Sequence, residues 1–164
     1  DEHVVEVWNA HVRPGDTVWH LGDVSMGGPA RFGRFVEQLH GTIHLIAGDH
    51  DAVHPMHRDS HRHPRSWLEY FDSIQTMARR KSSGRYMLLS HFPYRGEGAR
   101  GMADRHTQYR LRNEGMPLVH GHTHDEAQRL SFDGGTAMVH VGWDAWGRPV
   151  TLDEVVGLLE GEAA

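Results

Sequence analysis

Four short runs carry side chains able to ligate a metal or move a proton, and each stands where an apolar run stops. Gly22-Asp23 follows Thr17-Val18-Trp19-His20-Leu21, and Gly48-Asp49-His50-Asp51 follows Thr42 to Ala47. His91 follows Arg85 to Ser90, and His120-Gly121-His122-Thr123-His124 follows Pro117-Leu118-Val119. If the last run leaves its strand extended, His122 and His124 are two apart and share a face, so two imidazoles converge on one small volume. Neutral imidazole is the commonest protein ligand for zinc, iron, copper or nickel, and Gly121 lets the backbone turn tightly where the strand ends. Asp23 and Asp49 stand at equivalent ends of successive strand-helix units, which makes a carboxylate pair of the kind a dinuclear metal site needs. Ligands of α/β sheets bind beyond the carboxyl ends of strands, where all four runs lie.

The elements that must position these residues are legible from periodicity. Val4, Val5, Trp8 and Val12 mark one face of a helix over residues 1–12, stopped by Arg13-Pro14-Gly15-Asp16. Thr17 to Leu21 reads as a buried strand. Gly27-Gly28-Pro29 opens a second helix, with Phe32, Phe35, Val36 and Leu39 at helical spacing, ended by Gly41. Thr42 to Ala47 is the next strand. Residues 53–65 hold His54, His57, His61 and His63 among three arginines without periodicity, and read as a solvated loop or a rim that attracts phosphate. Ser66 to Phe71 reads as a short helix, and Ser73 to Arg80 and Arg85 to Ser90 as two strands around Ser82-Ser83-Gly84. Gly96-Glu97-Gly98-Ala99-Arg100-Gly101 matches G-x-G-x-x-G, but it neither leaves a strand directly nor opens a helix, so the dinucleotide reading fails. Its glycines, with Arg95, Arg100 and Arg105, fit a mobile loop covering an anionic substrate. Asp104 to Asn113 suggests a short polar helix. Ala127 to Phe132 and Thr136 to Val141 form a hairpin around Asp133-Gly134-Gly135, and Thr151 to Leu159 a closing helix with Thr151 and Glu154 as a capping box.

At 164 residues the chain reads as a single domain, large enough to bury a core without metal staples. It has no Cys, so a metal must be held by His, Asp, Glu or Asn. A formal charge of −5 argues against a protein that coats nucleic acid. No run approaches the roughly 18 apolar residues that cross a bilayer, and no signal peptide is visible, so the expected location is the cytoplasm.

The ordered series Gly22-Asp23, Gly48-Asp49-His50-Asp51, His91 and Gly121-His122-Thr123-His124 resembles the calcineurin-like metallophosphoesterases. Their pattern is D-x-H, then G-D, G-N-H-D/E, H and G-H-x-H. Leu89-Ser90-His91-Phe92-Pro93-Tyr94 and the tail from Val141 to Val150 are similar to the small phosphoesterases of bacteria and phages within that family. The resemblance implies a four-layer α-β-β-α sandwich of two mixed sheets flanked by helices, with two divalent ions at the sheet edge. It implies that Asp23 bridges both ions, that Asp49, His91 and His122 complete the second, and that His124 binds the first. His50 would face the scissile phosphate, protonating the leaving oxygen or steadying phosphoryl charge. Asp51 would orient that histidine or its loop from outside the ligand set. The implied activity is hydrolysis of phosphodiesters or phosphomonoesters, such as cyclic nucleotides or nucleotide-like esters, by a hydroxide that both metals activate. Mixed carboxylate and imidazole ligands suit manganese, iron, zinc or nickel.

Two departures from the pattern set further expectations. Asp49 stands where the family has Asn, which adds an anionic ligand and implies tighter metal binding with slower turnover. No D-x-H follows a strand ahead of Gly22-Asp23, since Asp1-Glu2-His3 lies in a helical pattern where i and i+2 point apart. That implies a fragment of a longer enzyme lacking its first strand. The alternative is a catalytically impaired metal-binding or interaction domain with one site incomplete. A metallo-β-lactamase type of zinc site fails, because Asp125, Glu126 and Ala127 follow His124 where H-x-H-x-D-H is needed. His20, His44, His120 and His140 flank strand ends and read as core residues or supports behind the ligands.

Overall fold

The computed structural model describes residues 2–98, 101–127 and 129–161. The chain forms two compact units, Asp1–Thr76 and Met77–Ala164, each built on one sheet.

In the first unit β1 (Thr17–His20), β2 (Thr42–Ile46) and β3 (Ser73–Gln75) make a parallel sheet in the order β1-β2-β3. Parallel strands need crossovers: helix α1 (Glu2–His11) precedes β1, while α2 (Pro29–Val36) and α3 (Pro64–Trp67) lie in the segments connecting β1 to β2 and β2 to β3. Of the helix-spaced residues of the sequence, Trp8 on α1 and Phe32 and Val36 on α2 are buried, together with Leu45, Trp67 and Phe71, while Val4, Val5, Phe35 and Leu39 are half-buried. Phe32 meets Trp67, Tyr70 and Phe71 with ring centroids 4.6, 5.6 and 5.8 Å away. An aromatic side chain buried this way is worth about 1.5–3 kcal/mol. Trp8 Nε1 donates to the His40 carbonyl at 2.9 Å, which fastens α1 to the turn ahead of β2. That turn needs Gly41, at φ +100°, because a Cβ there would come within 3.0 Å of the Asp16 carbonyl oxygen and of Val12 Cγ1.

In the second unit β4 (Met77–Ser82), β5 (Arg85–Ser90), β6 (Leu118–His120), β7 (Leu130–Asp133) and β8 (Thr136–His140) form a mixed sheet ordered β4-β5-β6-β8-β7. The hairpins β4/β5 and β7/β8 are antiparallel, while β5/β6 and β6/β8 are parallel. Gly134 and Gly135 at φ +53° and +85° supply the two left-handed residues of a tight β7/β8 hairpin turn. Helix α4 (Trp143–Trp146) follows β8, and α5 (Leu152–Gly161) buries Val155, Val156 and Leu159 and packs against β4 and β8. The capping box of α5 is formed: Glu154 N donates to Thr151 Oγ1 at 3.2 Å, and Thr151 N donates to Glu154 Oε2 at 2.9 Å.

Four local expectations differ. The run from Ser73 to Arg80 is two strands in two sheets, because Ile74 pairs with Leu45 and Ala78 with Leu89. The helix expected from Ser66 starts earlier, at Pro64, whose fixed φ suits a first helical turn. Residues 104–113 contain one 3₁₀ turn, Thr107–Tyr109, and no α-helix. β1 is half-buried, with Thr17 exposed. No described helix is long and apolar enough to cross a membrane.

Candidate functional site

Within the first unit, the ends of β1 and β2 turn toward a common point. Asp23 follows Gly22 beyond β1 with φ +55°, and its Oδ1 accepts the backbone N–H of His50 at 3.0 Å. Asp23, Asp49 and His50 each offer a ligand atom within 4.8 Å of the other two. The cause of this convergence is Asp51, which is wholly buried. Its Oδ2 accepts from Asp23 N and Gly48 N at 2.8 Å, and its Oδ1 accepts from Val24 N at 2.9 Å. One carboxylate thus ties the turn after β1 to the turn after β2. Burial pushes that carboxyl up to about 6, against the pull of these three N–H groups and with the Asp23 charge adding to the rise. His57 Nε2 lies 2.9 Å from the Asp49 carbonyl, so a ring N–H there steadies the Asp49 backbone. The His50 ring is half-exposed, its Nε2 3.7 Å from Asp49 Oδ2.

Within the second unit, His91 Nε2 and His122 Nδ1 lie 3.2 Å apart. Two nitrogens bound to one zinc at about 2.0–2.1 Å would be separated by roughly 2.9 Å at a right angle and roughly 3.3 Å at a tetrahedral one, so the pair has the bite of a metal site. Phe92 packs edge-on to both rings, at 4.9 Å from each centroid. The far side of His122 is held by Glu97, whose side chain is fully buried: His122 Nε2 is 3.3 Å from Glu97 Oε2. Arg105 donates to Glu97 through its backbone N at 2.9 Å, Nε at 3.2 Å and Nη2 at 3.1 Å, and Arg110 Nη2 donates to Oε1. Burial pushes the Glu97 carboxyl up, but the hydrogen bonds from the Arg105 backbone and side chain outweigh it, so the net shift is down. His124 is exposed and pairs through Nδ1 with Asp144 Oδ2 at 2.6 Å. Behind these residues His120 and His140, partners in the β6/β8 register, stack at 5.5 Å. Burial holds both rings below the ordinary histidine range, His120 at about 3.

A family model for the calcineurin-like phosphoesterase superfamily domain matches residues 1–155. The chain belongs to that superfamily. It is similar to the gene 66 protein of Mycobacterium phage L5, 40% identical over 97% of this chain and 80% of the relative. Its similarity to the gene 66 protein of Mycobacterium phage D29 is 41% identity over 94% and 80%. The crystal structure of a protein of unknown function from Aquifex aeolicus superposes with TM-score 0.66 at 22% identity, over 94% of this chain and 82% of that one, and shares the fold.

This calcineurin-like phosphoesterase domain therefore has the α/β architecture of two sheets with flanking helices, and its family binds divalent metals. Of the residues singled out by sequence, Asp23, Asp49 and His50 are brought together in the first unit, with Asp51 beneath them. His91 and His122 are brought together in the second. His124 is directed to Asp144, and Arg95 is exposed. Arg100 lies outside the described residues. The extended geometry expected for His122 and His124 is absent: β6 ends at His120, and both histidines are left-handed, at φ +63° and +49°. Three residues of this neighbourhood had no sequence signal strong enough to find them. Glu97 is hidden in a loop that reads as a mobile glycine segment, Arg110 in a segment that reads as a short polar helix, and His57 is one of four histidines in an aperiodic run. The aspartate in the tail motif, Asp144, carried a family resemblance but no visible role until its contact with His124.

Proposed function

We propose that this chain is a metal-dependent phosphoesterase that cleaves phosphodiester or phosphomonoester bonds of small, nucleotide-like substrates in the cytoplasm. The observation that carries the reading is the convergence of Asp23, Asp49 and His50 beyond two parallel strand ends. Carboxylate oxygens beside imidazole nitrogens make a donor set for manganese, iron, zinc or nickel. The ligands are those implied by the resemblance, Asp23, Asp49, His91, His122 and His124, and the reading uses two divalent ions. Bound there, the ions supply Lewis-acid charge for phosphoryl oxygens and lower the pKa of a water.

The remaining work falls to the chain's own residues. The half-exposed His50 is free to approach a phosphate, hydrogen-bonding a phosphoryl oxygen or protonating the leaving oxygen. Asp51 keeps Asp23 and His50 in register by fixing both turns, and His57 steadies the backbone that carries Asp49.

The test is hydrolysis of bis(p-nitrophenyl) phosphate and p-nitrophenyl phosphate by the chain with manganese, zinc, nickel or ferrous iron added singly. The expected result is metal-dependent release of p-nitrophenol that His122→Ala abolishes. A folded chain that binds these ions yet hydrolyses neither ester would overturn the enzyme reading in favour of a metal-binding domain.

A further inference from the structure

The two histidines of the Gly121-His122-Thr123-His124 run each have one ring nitrogen committed to a carboxylate, and the committed nitrogens differ. For His122 it is Nε2, which faces Glu97 Oε2. Both Glu97 oxygens receive N–H groups of Arg105 and Arg110, so Glu97 faces His122 as a carboxylate acceptor. The proton therefore sits on Nε2, and Nδ1 keeps its lone pair toward His91 Nε2. For His124 the committed atom is Nδ1, at 2.6 Å from Asp144 Oδ2, so the lone pair is left on Nε2.

We propose that Glu97 and Asp144 are positioning residues that lock these histidines in opposite tautomers, so that His122 presents Nδ1 and His124 presents Nε2 to a divalent cation. The assignment rests on the metal-dependent reading of the site but is a property of the metal-free rings. Three features make it a built arrangement. Glu97 arrives from the segment after β5 and is fastened by Arg105 and the buried Arg110. Phe92 and His106 pack against the His122 ring, restricting its plane. Both histidines occupy left-handed backbone, outside any regular strand, and each ring meets a carboxylate from another segment. A carboxylate on the far nitrogen also raises the basicity of the near one, and loss of such a partner typically costs about 10–100-fold in metal affinity.

The experiment reads imidazole ¹⁵N shifts of the metal-free chain in chelator at pH 8, assigned with single His→Gln variants, for the parent, Glu97→Gln and Asp144→Asn. His122 should appear protonated at Nε2 and His124 at Nδ1. Asp144→Asn should convert His124 to a mixture while leaving His122 unchanged, and should weaken Zn²⁺ binding by calorimetry at least about tenfold, with Asp144→Glu restoring much of it. Asp144 is exposed, so its variants should fold; if Glu97→Gln does not, the tautomer of His122 in the parent decides the Glu97 half alone. Either ring in the opposite tautomer, or an Asp144→Asn chain with unchanged tautomer and affinity, would overturn the proposal. Failure of the phosphoesterase reading looks different: the tautomers would stand as stated in a chain that hydrolyses nothing.

Discussion

Acid should unfold this protein partly through His120. The ring is buried, its Nδ1 donates to the Gly121 carbonyl at 2.8 Å, and its Nε2 has no hydrogen-bond partner among the described residues. Burial, with His140, His91 and His122 as further cationic neighbours, lowers its pKa from 6.5 to about 3. In the unfolded chain the same ring titrates near 6.5. Between those two values the unfolded state binds a proton that the native state refuses. The stability that depends on a neutral His120 is thus complete above about pH 6.5 and is lost as pH falls toward 3, at up to about 1.4 kcal/mol per pH unit. By pH 4 the loss reaches roughly 3 kcal/mol, a large part of a typical domain's margin. The perturbation is His120→Asn, whose side-chain amide N–H can still reach the Gly121 carbonyl but which never titrates. The assay is urea unfolding of both chains in chelator at pH 7.5, 6, 5 and 4. The variant should be less stable at pH 7.5, because it leaves a cavity, and should lose stability more slowly on acidification, so that the two curves converge. Parallel curves across that range would refute the reasoning, since every other titrating group is common to both chains.

Two further perturbations test other parts of the structure. Glu154 is held down to about 2 by the Arg148 guanidinium and the Thr151 N–H and hydroxyl, so its contribution is present above about pH 4.5 and lost as pH falls through 2. With about a third of the side chain exposed, solvent screening reduces that contribution to about 1 kcal/mol, and Glu154→Gln should lower Tm by about 2–4 °C at pH 7 and by nothing at pH 2; an equal drop at both would exclude the ion pair as the cause. Asp49→Asn removes one negative charge beside Asp23, and should weaken manganese binding roughly tenfold, about 1.4 kcal/mol, while raising kcat at saturating metal. A fall in both, measured by calorimetry and ester hydrolysis, would show that the extra carboxylate assists turnover.

What the sequence made legible was local. The periodic faces of α1 and α2, the Gly134-Gly135 hairpin and the Thr151/Glu154 cap are each decided by residues within one turn or one strand of each other, and each is present. The order of ligand types at strand ends was legible for the same reason. Partner choice was not. Ala78 pairs with Leu89 across the legible Ser82-Ser83-Gly84 hairpin, but nothing between Ser73 and Arg80 announces that Ile74 will pair instead with Leu45, because that deciding contact lies far back in the chain. Residues 104–113 read as a short polar helix, yet Arg105 and Arg110 are consumed by Glu97, and the segment holds a single 3₁₀ turn beside that buried cluster. Glu97 itself was obscured by its glycine neighbours, whose spacing suggested freedom of movement where the structure has an anchor.

Three of the five candidate ligands share a mechanical feature that no spacing rule reveals. Among the described non-glycine residues with positive φ, Asp23, His122 and His124 all appear, at +55°, +63° and +49°. Left-handed backbone costs an ordinary residue about 1–2 kcal/mol. It persists only where neighbouring structure over-determines it. In each case a carboxylate from another segment does so: Asp51 accepts the Asp23 N–H, Glu97 faces the His122 ring, and Asp144 faces the His124 ring. All three fasteners are acidic, and so add negative charge beside residues proposed to hold a cation. Strain set into the backbone and held by second carboxylates is how a strand end, which alone would fray, can present ligands in a fixed direction before any ion arrives. On this view Asp51 is as much a part of the arrangement in the first unit as Asp23, and Glu97 and Asp144 as much a part of that in the second as His122 and His124.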